Sequence, residues 1–298
     1  MKGKILGNCA VISADSKILK DGFGLRMEDK IYLHPIEAVY LQLNMDYFFA
    51  ELEELFKWAK SCVENFETMY FVFEDLRNKG IKVRINGKFL VGKKVYMPLY
   101  EKEKIKLSEL IEFCKKFPNF TIAVVDEESE VTYYSLSIYE PLGEQKEILK
   151  PFDGILVGNT VFVKDKEIFN LHFYGSERKK FVTLSLVEAA YLAKKGVLKM
   201  NNFEVEDEIK RKLEVYEDLK KRGLIVKTGF KFGSDFRAYE KVSSVLDLPH
   251  SKYLITIADD KEFKLNEIVR AVRLAQNVRK TMLFVVGSFY LKVERVKL

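Results

Sequence analysis

Apolar positions in the last third of the chain switch between two periods. Across Leu265 to Gln276, Leu265, Ile268, Val269 and Val272 recur at three- and four-residue spacing, which predicts a helix with one apolar stripe. Around it the apolar runs are short. Phe236-Arg-Ala-Tyr239, Ser251-Lys-Tyr-Leu-Ile-Thr-Ile-Ala258, Thr281-Met-Leu-Phe-Val-Val286 and Tyr290-Leu-Lys-Val-Glu-Arg-Val296 read as strands. Leu224-Ile-Val-Lys-Thr-Gly-Phe-Lys-Phe-Gly233 reads as strand broken by glycine-bearing turns. This order predicts a mixed α/β domain around a central sheet.

The same patterns occur earlier in the chain. Leu33-His-Pro-Ile-Glu-Ala-Val-Tyr-Leu41 parallels Leu184-Ser-Leu-Val-Glu-Ala-Ala-Tyr-Leu192, and Phe73-Glu-Asp-Leu-Arg-Asn-Lys-Gly-Ile-Lys-Val83 parallels Tyr216-Glu-Asp-Leu-Lys-Lys-Arg-Gly-Leu-Ile-Val226. Lys106-Leu-Ser-Glu-Leu-Ile111 parallels Lys264-Leu-Asn-Glu-Ile-Val269, and Ala123-Val-Val125 parallels Phe284-Val-Val286. Four matches in the same order point to a duplication; chance likeness of short amphipathic segments is the alternative. Each half starts with short strands and a helix on its Glu-Ala-x-Tyr-Leu segment. Its second part opens with a helix whose C-terminal glycine is Gly80 or Gly223. The expected fold is α/β, a duplicated repeat. Each half would pair an N-terminal α/β subdomain (1–66 and 143–212) with a small mixed-sheet, nuclease-like α/β subdomain (67–142, degenerate, and 213–298, catalytic). The halves meet near Glu140-Pro-Leu-Gly-Glu-Gln-Lys146.

Composition narrows the class. Proline is scarce at 6 residues in 298, which argues against long disordered linkers. The three cysteines, Cys9, Cys62 and Cys114, have no paired spacing, so neither a disulfide framework nor a cysteine zinc site is expected. The chain lacks any stretch of the roughly 18 apolar residues that a membrane helix needs, and its first residues have no signal-like apolar core. An intracellular, cytoplasmic protein without a membrane role is expected. Charge sharpens this. Residues 213–298 hold 17 Lys+Arg against 11 Asp+Glu, while the net charge of the whole chain is +6. The excess cations therefore all lie in the last 86 residues, which suits a polyanionic partner such as nucleic acid or a solvated charged face.

The halves differ where chemistry would sit. From Tyr239 to Lys264 is 25 positions, but from Tyr100 to Lys106 only six, so the first half lacks the segment that bears His250. Aligning Val286 with Val125 puts Asn119 opposite Lys280. Conversely, only the first half has Asp126-Glu-Glu-Ser-Glu130, either a solvated turn or an acidic plug for a basic surface on a partner copy. Of the three histidines, His34 aligns with Ser185 and suits a helix cap or the surface, and His172 sits among aromatics as a structural residue. His250, at a turn after Pro249, is the candidate for chemistry.

RNA supplies its own nucleophile, the 2′-OH. A base must take that proton, an acid must protonate the 5′-leaving oxygen, and a cation should stabilise the charged intermediate state; no metal or cofactor is needed. Histidine suits the acid role, and lysine the electrostatic one. Tyrosine is an unpromising base unless nearby cations favour its phenolate. Arg270, Arg273, Asn277 and Lys280 recur at three- and four-residue spacing, and share a face if the helix runs that far; the alternative is a solvated face. Arg273 and Arg295 could stack on unpaired bases.

Tyr216-Glu-Asp-Leu-Lys-Lys-Arg-Gly-Leu-Ile-Val-Lys-Thr-Gly-Phe-Lys-Phe-Gly-Ser-Asp-Phe-Arg-Ala-Tyr239 resembles the C-terminal catalytic domain of tRNA-splicing endonucleases. Leu248-Pro-His-Ser-Lys-Tyr-Leu254 and Ile268-Val-Arg-Ala-Val-Arg-Leu-Ala-Gln-Asn-Val-Arg-Lys280 extend the resemblance. The duplicated chain also resembles the archaeal form, in which one polypeptide carries a degenerate and an intact unit and two copies form the enzyme. The resemblance implies Tyr239 as general base, His250 as general acid and Lys280 as stabiliser of the transition state. It implies a lyase-type, metal-independent cleavage leaving a 2′,3′-cyclic phosphate and a 5′-OH. The implied partners are precursor tRNA, recognised at a bulge–helix–bulge, and a second copy of the chain. Arg273 and Arg295 fall on the family's RNA contacts, and Asp126, Glu127, Glu128 and Glu130 on its acidic assembly loop. Two other readings compete: a non-catalytic RNA-binding or assembly subunit of a nuclease complex, and a metal-dependent DNA nuclease using Asp259, Asp260 and Glu262.

Overall fold

A computed structural model describes residues 2–200, 206–245, 249–259 and 261–298. The chain is mixed α/β and divides into two compact units. The first comprises 1–137, 262–268 and 294–298; the second comprises 138–261 and 269–293. Two short stretches from the end of the chain thus group with the first unit, a division that follows packing, not sequence order.

The first unit opens with a sheet in the order Lys4–Leu6, Cys9–Ser13, Lys30–Leu33, Leu25–Met27. Helices Pro35–Asn44, Leu52–Cys62 and Phe66–Asn78 follow. A further run of strands is ordered Val131–Tyr139, Phe120–Val125, Val95–Tyr100, Phe89–Val91, Arg84–Asn86. Phe120–Val125 is buried at every position, as its continuous apolar run requires. The Pro35–Asn44 helix is started by a capping box. The Ile36 N–H donates to His34 Nδ1 (3.3 Å) and the His34 N–H to Glu37 Oε2 (2.9 Å). Burial pushes the His34 imidazole down to about 4, so it stays neutral and able to accept. The other Glu37 oxygen accepts the Gly24 N–H at 3.0 Å.

The second unit has a sheet ordered Ser176–Glu177, Val182–Ser185, Thr160–Val163, Phe152–Val157, Leu198–Lys199. Its Leu186–Lys194 helix also starts with a capping box, Ser185 with Glu188, and Glu188 Oε1 accepts the Gly175 N–H at 2.9 Å. The Asp207–Lys221 helix follows and buries Leu213, Tyr216 and Leu219. It ends where Gly223 takes a positive φ of 77°, with Leu224 N–H reaching back to the Leu219 carbonyl at 3.1 Å. Gly80 does the same after Phe66–Asn78 in the first unit, at φ 75°. A side chain at Gly223 would also strike the Gly143 backbone, whose N–H donates to the Arg222 carbonyl at 2.9 Å. The glycine break read at 140–146 is therefore a close backbone crossing.

The last sheet of the second unit is ordered Ile225–Thr228, Phe236–Tyr239, Tyr253–Ile257, Thr281–Val286, Phe289–Val296. Strands one and two are antiparallel, as are two and three, while three and four are parallel. One face, with Val226, Phe236, Ala238, Tyr253, Ile255, Leu283 and Val285, packs into the unit's core. The opposite face carries Arg237, Tyr239, Leu254 and Met282.

Candidate active site

Three strand ends meet at one end of this sheet. Phe236–Tyr239 runs antiparallel to Tyr253–Ile257, so the C-terminal end of the first lies beside the N-terminal end of the second. Tyr253–Ile257 runs parallel to Thr281–Val286, so both N-terminal ends lie together. The ladder extends one step further: Lys252 N–H donates to the Ala238 carbonyl and Thr281 N–H to the Lys252 carbonyl, both at 2.9 Å. Tyr239 ends the first strand, His250 lies three residues before the second, and Lys280 immediately precedes the third. Residues 41 positions apart are thus neighbours through register alone.

Lys280 is the best defined of the three. It is 7% exposed, and its ammonium donates a 3.0 Å hydrogen bond to the Ser251 carbonyl, next to His250. The amine also lies 5.4 Å from the centre of the Phe232 ring. Burial pushes the Lys280 pKa down, and the Arg237 cation pushes it the same way. The helix does not carry this lysine. Leu265–Asn277 stops, Lys280 N–H bonds back to the Ala275 carbonyl at 2.8 Å, and Arg279 takes a left-handed φ of 56°. Arg270, Arg273 and Asn277 share an exposed helix face, as the spacing predicts, but Lys280 turns off that face to begin a strand.

Tyr239 is mostly buried and packs with Phe173, Ile225 and Val242. Phe173 comes from the loop after Glu167–Asn170 and holds a left-handed φ of 62°, a conformation an L-residue adopts at a cost. The Arg237 guanidinium lies 5.9 Å from the Tyr239 ring centre. His250 is exposed. Leu248, part of the segment read together with it, lies outside the described residues. Phe173, Phe232 and Arg237 did not stand out in the sequence. Arg237 carried a usable signal, since it sits two positions before Tyr239 in a strand and must share its face.

The remaining candidates fall elsewhere. Arg273 is exposed on its helix, and Arg295 is exposed near the end of Phe289–Val296. The acidic loop is the turn joining Phe120–Val125 to Val131–Tyr139. Its four acids are not equivalent. Asp126 Oδ1 accepts the N–H groups of Glu128 (3.0 Å) and Glu130 (2.9 Å) and so builds the turn, while Glu127, Glu128 and Glu130 are exposed. Glu127 pairs with Lys102. Asp259 is held by Arg211 through two 2.7 Å contacts, which keep its carboxyl below the usual range; Asp260 lies outside the described residues. Among the described residues no group of His, Cys, Asp or Glu is arranged to hold a metal ion, and no helix is long and apolar enough to cross a membrane.

Comparison with known proteins bears on this sheet and on the subdomain before it. The family described as tRNA intron endonuclease, catalytic C-terminal domain, matches residues 209–293. The tRNA intron endonuclease N-terminal domain matches residues 152–210. A tRNA-splicing endonuclease of Methanococcoides burtonii is 34% identical over 93% of this chain and 93% of its own. That of Methanosarcina mazei is 34% identical over 96% of this chain and 95% of its own. One from Halobacterium salinarum is 40% identical over 55% of this chain and 54% of its own. With identities above 30% sustained over nearly the full length, the chain belongs to the tRNA-splicing endonuclease family.

Proposed function

We propose that this chain is an endonuclease that excises introns from precursor tRNA, cutting at bulge–helix–bulge sites without a metal. The convergence of Tyr239, His250 and Lys280 at one end of the last sheet supports this most directly. Tyr239 takes the proton of the 2′-OH beside the cleavage site. The 2′-oxygen bonds to the adjacent phosphorus, the bond from phosphorus to the 5′-oxygen breaks, and His250 protonates that oxygen. Lys280 offsets the negative charge that builds on the phosphoryl oxygens. The products are a 2′,3′-cyclic phosphate and a 5′-OH, the outcome of a lyase-type cleavage.

The exposure of His250 suits a proton donor that must meet a large RNA, and the burial of Lys280 suits a charge that works in a low dielectric. Arg273 and Arg295 would contact the unpaired bulge bases. The chain is read as a duplication in which 1–66 and 67–142 form a non-catalytic repeat, and 143–212 and 213–298 the catalytic one. Matching capping boxes at Glu37 and Glu188, each bonding a glycine 13 residues upstream, favour that reading. Two copies would form a cytoplasmic homodimer, with the acidic loop at 126–130 meeting the partner copy.

The test is incubation of the purified protein with an intron-containing precursor tRNA in EDTA, followed by analysis of the ends. Cyclic phosphate and 5′-OH ends are expected. Cleavage that stops in chelator, or ends bearing a 5′-phosphate, would reject the mechanism.

A further inference from the structure

Arg237 lies on the same sheet face as Tyr239, two positions earlier in the strand. Its Nε is buried and has no hydrogen-bond partner. Two cations lie within its electrostatic reach. Lys227 is its cross-strand neighbour, and its electrostatic effect reaches Lys280. Lys227 is already occupied, since its amine donates to the Gly175 carbonyl at 2.6 Å and lies 3.5 Å from Glu188. Lys280 is bonded to a neutral carbonyl and lies over a ring. Among the described residues neither Arg237 nor Lys280 has a carboxylate within ion-pair distance. A buried guanidinium N–H without an acceptor, on a side chain within electrostatic reach of a second cation, is unfavourable in the free protein. An anion placed between the two cations reverses that sign, and the gain grows as the anion takes on charge.

We propose that Arg237 is a further catalytic residue, which together with Lys280 binds a non-bridging oxygen of the scissile phosphate. This rests on the reading of Tyr239, His250 and Lys280 as the cleavage site. Arg237 moves no proton. It donates N–H groups to an oxygen whose negative charge rises while the 2′-oxygen bonds to phosphorus and before the 5′-oxygen leaves. Its planar fork also orients the phosphate beside Tyr239, which a lysine would do less well.

The test uses Arg237→Gln and Arg237→Lys in the full chain, with two readouts. The first is the thermal midpoint in sodium sulfate against sodium chloride of equal ionic strength. The second is single-turnover cleavage of precursor tRNA at saturating enzyme. Sulfate should raise the wild-type midpoint more than that of Arg237→Gln, with Arg237→Lys between them. Without sulfate, Arg237→Gln should be at least as stable as wild type, because a half-buried cation with an unpartnered Nε–H, close to other cations, is gone. Its cleavage should fall roughly 100-fold with RNA affinity nearly kept, and Arg237→Lys should recover part of the rate. Equal sulfate shifts in wild type and Arg237→Gln, or wild-type cleavage by Arg237→Gln, would overturn the inference. If Arg237→Gln unfolds, wild-type cleavage and sulfate response in Arg237→Lys would overturn it instead. The underlying site reading fails separately, if substitution of Tyr239, His250 or Lys280 leaves cleavage intact.

Discussion

The Lys280 ammonium and the Ser251 carbonyl oxygen are 3.0 Å apart, so the lysine is fastened to the peptide segment that carries His250. One side chain thereby supplies charge to the site and anchors the loop of the proposed acid. Lys280→Met keeps an unbranched apolar chain at this position but removes both the charge and the anchor. Single-turnover cleavage should drop by roughly 100- to 1000-fold, as for other single stabilising donors, with RNA binding weakened only a few-fold. A variant that cleaves at the wild-type rate would remove Lys280 from the chemistry.

His250 itself is exposed. His250→Ala should therefore leave the thermal midpoint within a degree or two of wild type, a surface-type change, while cleavage of precursor tRNA is lost and its binding survives. Retained cleavage would sink the assignment of the acid. A large fall in midpoint would mean that the residue is structural.

Much of this arrangement was legible in the residues. The succession of strands along the chain, the helix from Leu265 and the glycine caps at Gly80 and Gly223 follow from local pattern and backbone chemistry, which act over a few residues. Register is different. Nothing in the spacing of Tyr239, His250 and Lys280 says that one strand pair is antiparallel and the next parallel, and that combination is what gathers their ends. The family resemblance pointed to these three residues where periodicity could not. Phe173 and Phe232 escaped because neither lies in a strand of the sheet: the first comes from a loop and the second from a short 3-10 helix. The helix end was legible too: the apolar stripe predicts a stop near Gln276 and the helix ends at Asn277, which leaves Lys280 off the cationic face and puts Arg279 in a position that glycine usually fills.

That arginine gives a stability prediction. A left-handed φ costs an L-residue roughly 1–2 kcal/mol, and glycine takes it freely. Arg279→Gly should raise the unfolding free energy by up to about 1 kcal/mol, the gain being trimmed by glycine's larger unfolded-state entropy. Urea denaturation measures this. A clear loss of stability would mean that the Arg279 side chain holds the turn more strongly than its backbone strains it.

The acidic turn separates two kinds of carboxylate. Reversing Glu127, Glu128 and Glu130 to lysine changes exposed charges and leaves the Asp126 turn intact. If the loop meets a basic surface on a second copy, the triple variant should shift toward half the mass in light scattering, most clearly at low salt. Asp126→Asn should instead mainly lower stability by loosening the turn. An unchanged mass for the triple variant would take the loop out of assembly.

His34 links the fold to pH. Its folded pKa, held at about 4 by burial, lies below the unfolded reference of about 6.5. Above that reference both states are neutral and nothing depends on pH. As pH falls from about 6.5 toward 4, the unfolded chain binds a proton that the folded chain refuses, so stability is lost across this window. Protonation would also end the acceptance of the Ile36 N–H, since an imidazolium has no free lone pair. Ser185 caps the corresponding helix of the second unit without a titrating group. His34→Ser should therefore keep the capping box and match wild-type stability near pH 7, yet lose less stability at pH 5 in urea titrations. Equal losses in the two proteins would show that other groups set the acid limb, and that the imidazole is protonated in the folded chain as readily as in the unfolded one.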